Sequence, residues 1–258
     1  MGVDVVTTMV PSLKGKVSEE EWATRVDLAA CYQLVAHYGM SDMIFTHISA
    51  RIPRTEDQFL INPYGLFFDE ITASSLVKVD IDGNILDETD FHINPAGYTI
   101  HSAVHGARHD IDCVLHTHTA AGMAVSSQKH GLLPMTQHAL MFYQRLAYHG
   151  YEGIALNLDE RERLVRDLGE GNIAMLLRNH GLLTVGASIS EAFRRIFYLE
   201  KACQAQIQAL SGGAELILPP EEVCLTAKEQ FMSRSDIHTL EWPGLLRILD
   251  RKGSNYAH

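Results

Sequence analysis

Short apolar strand segments alternate with capped helical segments along almost the whole chain, and that alternation leaves few architectures open. Ser18-Glu19-Glu20-Glu21 forms a capping box ahead of a helix that ends at Gly39. Met43 to Ile52, Gln58 to Ile61 and Leu76 to Ile81 read as strands, the last turned by Asp82-Gly83-Asn84. Asn94-Pro95 places a cap and a first-turn proline before a helix reaching about Arg108. Asp112 to His118 is a buried strand, and a helix follows from Ala120 to Lys129. A short helix around Leu164 stops at Gly169, and the strands Ile173–Leu177 and Leu182–Val185 flank Asn179-His180-Gly181. Ser188 to Glu191 caps a helix running to about Leu210. The pattern predicts an α/β layered domain over residues 1–213, with 214–258 as a helical appendage ending in an amphipathic turn after Trp242-Pro243.

Composition narrows the function. The 258 residues are 46% hydrophobic with a net charge of −11 and no Lys/Arg cluster, which argues against a nucleic-acid partner. No segment approaches the length of a membrane span, and the start has no signal-peptide core, so a cytoplasmic protein without a membrane partner is expected. Cys31, Cys113, Cys203 and Cys224 never form CxxC and read as buried free thiols.

Histidine is the unusual residue: there are fourteen, ten of them between His92 and His180. His116-Thr117-His118 puts two imidazoles two residues apart in a strand, where alternation points both to one face. His180, in the Asn-His-Gly break beyond another strand, is the candidate third ligand. Three neutral imidazoles suit Zn, Mn, Fe or Co and leave positions open for a small-molecule substrate. His101 and His105, four apart on a helix, read as supporting or core-edge residues. His92, His109, His130 and His149 have no evident partner.

Taken together, Thr46-His47-Ile48-Ser49-Ala50-Arg51, Asn62-Pro63-Tyr64-Gly65, Asn94-Pro95-Ala96-Gly97, His116-Thr117-His118 and Asn179-His180-Gly181 resemble the class II aldolase/adducin family, and Asp69 to Lys78 sits closer to the adducin-head branch. The resemblance implies a three-layer αβα sandwich, a homotetramer with sites at subunit interfaces, and a divalent metal on His116, His118 and His180. It also marks departures. The acid/base Glu of the aldolases falls on Gly97, their phosphate-holding serines fall on Pro95 and Ala96, and a further phosphate-loop hydroxyl falls on Tyr64. A phosphorylated sugar is therefore not expected. His138, near the position of a tyrosine that aldolases bring from a neighbouring subunit, and Tyr98 are the candidate catalytic groups. His47, Asn62, Tyr64, Gly65, Asn94 and Gly97 are the candidate substrate-binding residues. Arg51 and Lys78 read as solvated strand-end charges with a second reading as carboxylate partners.

Three functions are open on this reading. One is a metal-dependent lyase acting on a non-phosphorylated hydroxy- or oxo-carboxylate, by decarboxylation or aldolase-like C–C cleavage. Another is a non-catalytic oligomeric scaffold like the adducin head. The last is an Fe(II) oxygenase, disfavoured because spacing places no carboxylate among the ligands.

Overall fold

The computed structural model describes residues 10–154 and 159–258; most of the expected N-terminal arm lies outside them. Among the described residues seven strands form one mixed sheet. They are β1 (His47–Arg51), β2 (Gln58–Ile61), β3 (Val77–Asp80), β4 (Cys113–Thr117), β5 (Leu146–His149), β6 (Ala174–Leu177) and β7 (Gly181–Gly186). The order across the sheet is β3-β2-β1-β4-β7-β6-β5. Neighbours are antiparallel except β5 and β6, which run parallel.

The helices are α1 (Glu19–His37), α2 (Pro95–Ala107), α3 (Ala120–Ser126), α4 (Gln137–Leu140), α5 (Glu160–Leu168), α6 (Ile189–Ser211), α7 (Glu221–Ser233) and α8 (His238–Arg251). The predicted caps are present. Ser18 accepts from Glu21 N, Asn94 from Ala96 N, and Ser188 from Glu191 N. Gly169 ends α5 at φ 63°, a left-handed geometry that favours glycine.

Strand alternation sorts the side chains into two cores. Ile48, Ala50, Cys113, Leu115 and Leu182 join α1 and α6 on one face. Val114, Leu183 and Val185 join Ile100 and Val104 of α2 and Leu164 and Leu168 of α5 on the other. The result is the expected three-layer αβα sandwich. The same alternation turns His47, Ser49 and Arg51 of β1, and His116 of β4, away from the α1/α6 core.

Four details differ from the sequence reading. Residues 43–46 are not strand: Met43 and Thr46 have φ of 49° and 66°, and Phe45 N donates to Asp42 O across a tight turn. Helix α3 stops at Ser126, short of Lys129. Strand β5 and helix α4 carry too short a periodic signal to be read in advance. Helix α8 runs through Pro243 as one fourteen-residue helix, anchored by buried Trp242 and Leu249. The Trp242 indole donates to Asp27 Oδ1 at 3.0 Å, tying this appendage to α1. All four cysteines are free and buried, as expected.

Candidate metal centre

His116, His118 and His180 converge at the ends of β4 and β7, with one donor atom from each lying within 4.8 Å of the others. Antiparallel pairing sets His116 opposite Leu183 and Thr117 opposite Leu182. The first two residues of β7 therefore lie beside the chain carrying His116 and His118. The β6–β7 turn delivers His180 to them. Asn179 takes the left-handed conformation at φ 56°, and His180 N donates to Leu177 O at 3.1 Å. Gly181, which follows, begins β7. Its role is close approach, since a Cβ there would lie 2.3 Å from the Thr117 carbonyl and about as near as contact allows to both His116 and His118.

Hydrogen bonds fix which nitrogens carry protons. His116 Nδ1 lies 2.9 Å from Leu182 O, and a carbonyl only accepts, so this nitrogen is the N–H. His118 Nδ1 lies 2.9 Å from the Asp42 carboxylate and donates to it. The two Nε2 atoms face each other at 2.9 Å, and with both rings in the neutral form each presents a bare lone pair. Two facing lone pairs repel unless a proton or a metal cation is shared between them. The donor set therefore fits a divalent metal of the Zn, Mn, Fe or Co type. Burial lowers the His116 pKa well below its ordinary value, with the neighbouring His180, His118 and His47 adding to it. Burial, then His118 and His149, lower His180 to about 4. Neutral imidazole is the form that binds metal.

Asp42 is the residue that sequence reasoning missed. It stands on the strained turn before β1, seventy-six residues from His118, and nothing in the local pattern marks it. Carboxylate–histidine–metal arrangements orient the ligand and raise its basicity. Asp42→Asn is expected to weaken zinc binding by about 10–100-fold with little loss of fold. Competition titration against a chromophoric chelator measures this, and unchanged affinity would remove Asp42 from the site.

The substrate-side residues separate into two groups. His47 is buried, pairs with His116 across β1 and β4, and sets its ring 5.3 Å from that of His116. Gly97 lies against it: a Cβ on Gly97 would sit 2.3 Å from His47 Cδ2 and 2.8 Å from Nε2. The His47 ring therefore fills the space that a side chain at position 97 would enter. Tyr64 is 40% exposed, next to Phe45, on a loop that turns at Gly65 with φ 108°.

The other candidates are held elsewhere. Asn62 is buried with Oδ1 accepting from the Tyr32 hydroxyl at 2.8 Å. Asn94 caps α2. Tyr98 donates its hydroxyl to Ile81 O at 2.6 Å and packs with the outer β2/β3 cluster, so its geometry is that of an anchor for α2. His138 rests on Tyr198, with ring centroids 4.8 Å apart. Arg51 and Lys78 are not solvated charges. Arg51 is buried and donates to His105 O at 2.7 Å, and Lys78 pairs with Glu21 at 2.8 Å beside fully buried Arg25. His149 gains partners that the sequence hid, Asp167 at 2.8 Å and Glu160 at 3.3 Å.

A family model described as the class II aldolase and adducin N-terminal domain matches residues 26–207. A protein of Caulobacter vibrioides whose name assigns it to aldolase class 2 is 59% identical over 248 residues, covering 95% of this chain and 96% of its own. Rat alpha-adducin is 37% identical across 96% of this chain, which corresponds to 36% of adducin. Among solved structures, an aldolase II superfamily protein from Pseudomonas syringae superposes with TM-score 0.91 and 54% identity, over 95% of this chain and 99% of that one. The chain belongs to the class II aldolase and adducin family.

Proposed function

We propose that this chain is a metal-dependent lyase acting on a non-phosphorylated hydroxy- or oxo-carboxylate, by decarboxylation or aldolase-like C–C cleavage. The observation that carries the reading is the convergence of His116, His118 and His180, with the Nε2 atoms of the first two facing each other at 2.9 Å. A divalent metal held by these three residues would supply Lewis-acid stabilisation of negative charge developing on a substrate oxygen.

The chain's own groups set the substrate class. Pro95 and Ala96 offer no hydroxyl at the start of α2, and Gly97 offers no carboxylate, so a phosphate and an aldol base of the usual type both lack partners. Tyr151 lies 6.3 Å from the His180 ring, and Phe45 stands on the turn that carries Asp42, which gives the site aromatic edges suited to a hydroxylated aromatic acid. A homotetramer with sites at subunit interfaces would bring His138 of a neighbouring copy toward the metal as the titratable group that reprotonates carbon.

Zinc-, manganese- or iron-loaded protein offered a panel of hydroxy-aromatic and oxo-acids is expected to release CO2 or cleave a C–C bond, and to stop when the metal is chelated. A panel with no metal-dependent turnover would sink the lyase reading.

The second reading is a non-catalytic oligomeric scaffold. It draws support from the 37% identity with rat alpha-adducin across nearly the whole chain. Metal content separates the two. A scaffold would purify without metal, and His116→Ala would then alter stability alone.

A further inference from the structure

The chain carries a net charge of −11, yet three guanidinium groups crowd one cavity of about 280 Å³. Arg145, Arg194 and Arg195 line it, and Glu191 is the acidic residue of its wall. The fold gathers them at one end of the sheet. Parallel pairing of β5 and β6 sets Arg145, just ahead of β5, beside Ile173, whose N–H donates to Arg145 O at 3.0 Å. Val185, near the end of β7, donates its N–H to Ile173 O at 3.1 Å. Arg194 and Arg195 follow in the second turn of α6. The outer wall comes from the appendage, through Phe231 and Met232 of α7 and Ser235 beyond it. Lys228 of α7 donates to Gln144 Oε1 at 3.1 Å, which fastens that wall to the start of β5.

Donor accounting shows which of these charges are spent. Arg195 donates to Val185 O and to Glu191 Oε1. Glu191 Oε2 accepts from Ala187 N at 2.8 Å, so both of its oxygens are engaged. Arg194 lies against Glu241 through Nε at 2.9 Å, and one of its terminal N–H groups reaches Met141 Sδ at 3.7 Å, a weak acceptor. Among the described residues Arg145 makes no side-chain hydrogen bond and no ion pair, although it is partly buried. Burial lowers its pKa, with Glu191 opposing at longer range. Burial lowers Arg195 to about 10 against the pull of Glu191, and the like charges of Arg145 and Arg194 add to it.

An anion is what this wall lacks, and its chemistry can be narrowed. Three guanidinium groups against Glu191 and Glu241 leave one positive charge over, and Arg145 is the group that carries it unpaired. One charge calls for a monoanion. A guanidinium is a planar fork that matches the two oxygens of a carboxylate. Met141, Ile173, Phe231 and Met232 supply apolar walls, and the volume lies just under the usual range for small-molecule sites, so there is room for a hydrocarbon body behind the carboxylate. The metal centre is elsewhere. Strand β7 runs from Gly181 beside the three histidines to Gly186 at the cavity end, and its six residues separate the two by about 17 Å.

We propose that the cavity between β5, α6 and α7 is a second binding site, which takes a small monocarboxylate with its oxygens on Arg145 and its apolar body against Phe231, Met232 and Ile173. The free N–H groups of Arg194 lie within the same wall and add a second donor to the carboxylate. The site uses none of the residues of the metal centre, so it does not rest on the lyase reading. It also gives the appendage a part in ligand binding, since α7 closes the cavity.

Isothermal titration calorimetry on the full chain tests this with phenylacetate, which has no hydroxyl or oxo group beside its carboxylate and so holds a metal poorly. Phenylacetate should bind at least about tenfold more tightly than phenylacetamide, which keeps the shape without the charge, and than acetate, which keeps the charge without the body. Arg145→Gln should weaken phenylacetate at least about tenfold, and Arg145→Lys, which keeps the charge without the fork, should fall between. Without ligand, Arg145→Gln should melt no lower than wild type, since Arg145 has no partner to lose; with phenylacetate, Tm should rise in wild type alone. The affinity should survive removal of metal by dialysis against a chelator. Absence of binding at millimolar phenylacetate, equal affinity for the amide, equal affinity in Arg145→Gln, or binding that is lost with the metal would each overturn the proposal. The phenylacetamide comparison and Arg145→Lys decide it even if Arg145→Gln fails to fold.

Discussion

Metal-free protein is expected to lose stability steeply as pH falls from 7.5 to 5.5. Five imidazoles, those of His47, His101, His105, His116 and His180, are held below their ordinary pKa, in every case chiefly by burial. In the unfolded chain they titrate near 6.5. Below that pH the unfolded state therefore binds more protons than the folded state, and unfolding is favoured as acid is added. A fully shifted histidine contributes about 1.4 kcal/mol over this window, most of it below pH 6.5. Five of them acting together contribute up to ~7 kcal/mol over the range, comparable with the 5–15 kcal/mol of a typical domain. The carboxyls of Asp27, Asp112 and Glu200 are raised, chiefly by burial, and act in the opposite sense, because their folded forms take up protons at a higher pH than their unfolded forms. They offset part of the histidine loss, and five imidazoles against three carboxyls leave the net change a loss of stability. Urea melts with a chelator present measure it directly. A stability that stays flat to pH 5.5 would show that these imidazoles are not buried neutral. Zinc should shift the loss to lower pH, since protons and metal compete for the lone pairs of the three ligands.

What could be read from sequence follows the range of the signal. The capped helices and apolar strands are local, and Ser18, Asn94 and Ser188 cap where their neighbours predict. The histidine cluster was legible because two of its members share a strand and the third follows one, so strand period and an Asn-His-Gly break suffice. Asp42 was not legible, because its link to His118 spans seventy-six residues and depends on a strained turn that reads as strand. His101 and His105 were half legible: their helical spacing put them on one face, but nothing local shows that Ser49 and His47 of β1 meet that face. The partner of Tyr98 was not legible either, since only the fold brings its hydroxyl to Ile81 O, seventeen residues away. Arg51 and Lys78 were misread because charge at a strand end gives no hint of the distant carbonyls and carboxylates that enclose it.

The triad makes its strongest demand on backbone spacing, and two neighbouring substitutions separate donor count from donor geometry. His180→Ala removes one of three nitrogens outright, and zinc affinity should fall by at least about 100-fold, beyond what loss of a supporting partner costs. Gly181→Ala keeps all three. Its new Cβ would stand 2.3 Å from the Thr117 carbonyl, which is backbone of the central strand and cannot swing aside. It would also press on His118 Cδ2 at 3.2 Å and His116 Cε1 at 3.3 Å. Strands β4 and β7 must therefore part at their ends, where two of the ligands are carried. The expected result is a destabilisation of about 1–3 kcal/mol, in the range for overpacking a tight site, together with a loss of zinc affinity on the order of 100-fold. Metal analysis after dialysis and thermal melts with and without zinc measure both effects. The decisive comparison is the zinc-dependent rise in Tm. If the two lone pairs of His116 and His118 are the heart of the centre, Gly181→Ala should abolish that rise as fully as His180→Ala does, although its ligand set is intact. A Gly181→Ala protein that still gains stability from zinc would mean that the strands yield at little cost, and that the close approach of β7 to Thr117 matters to packing but not to the metal.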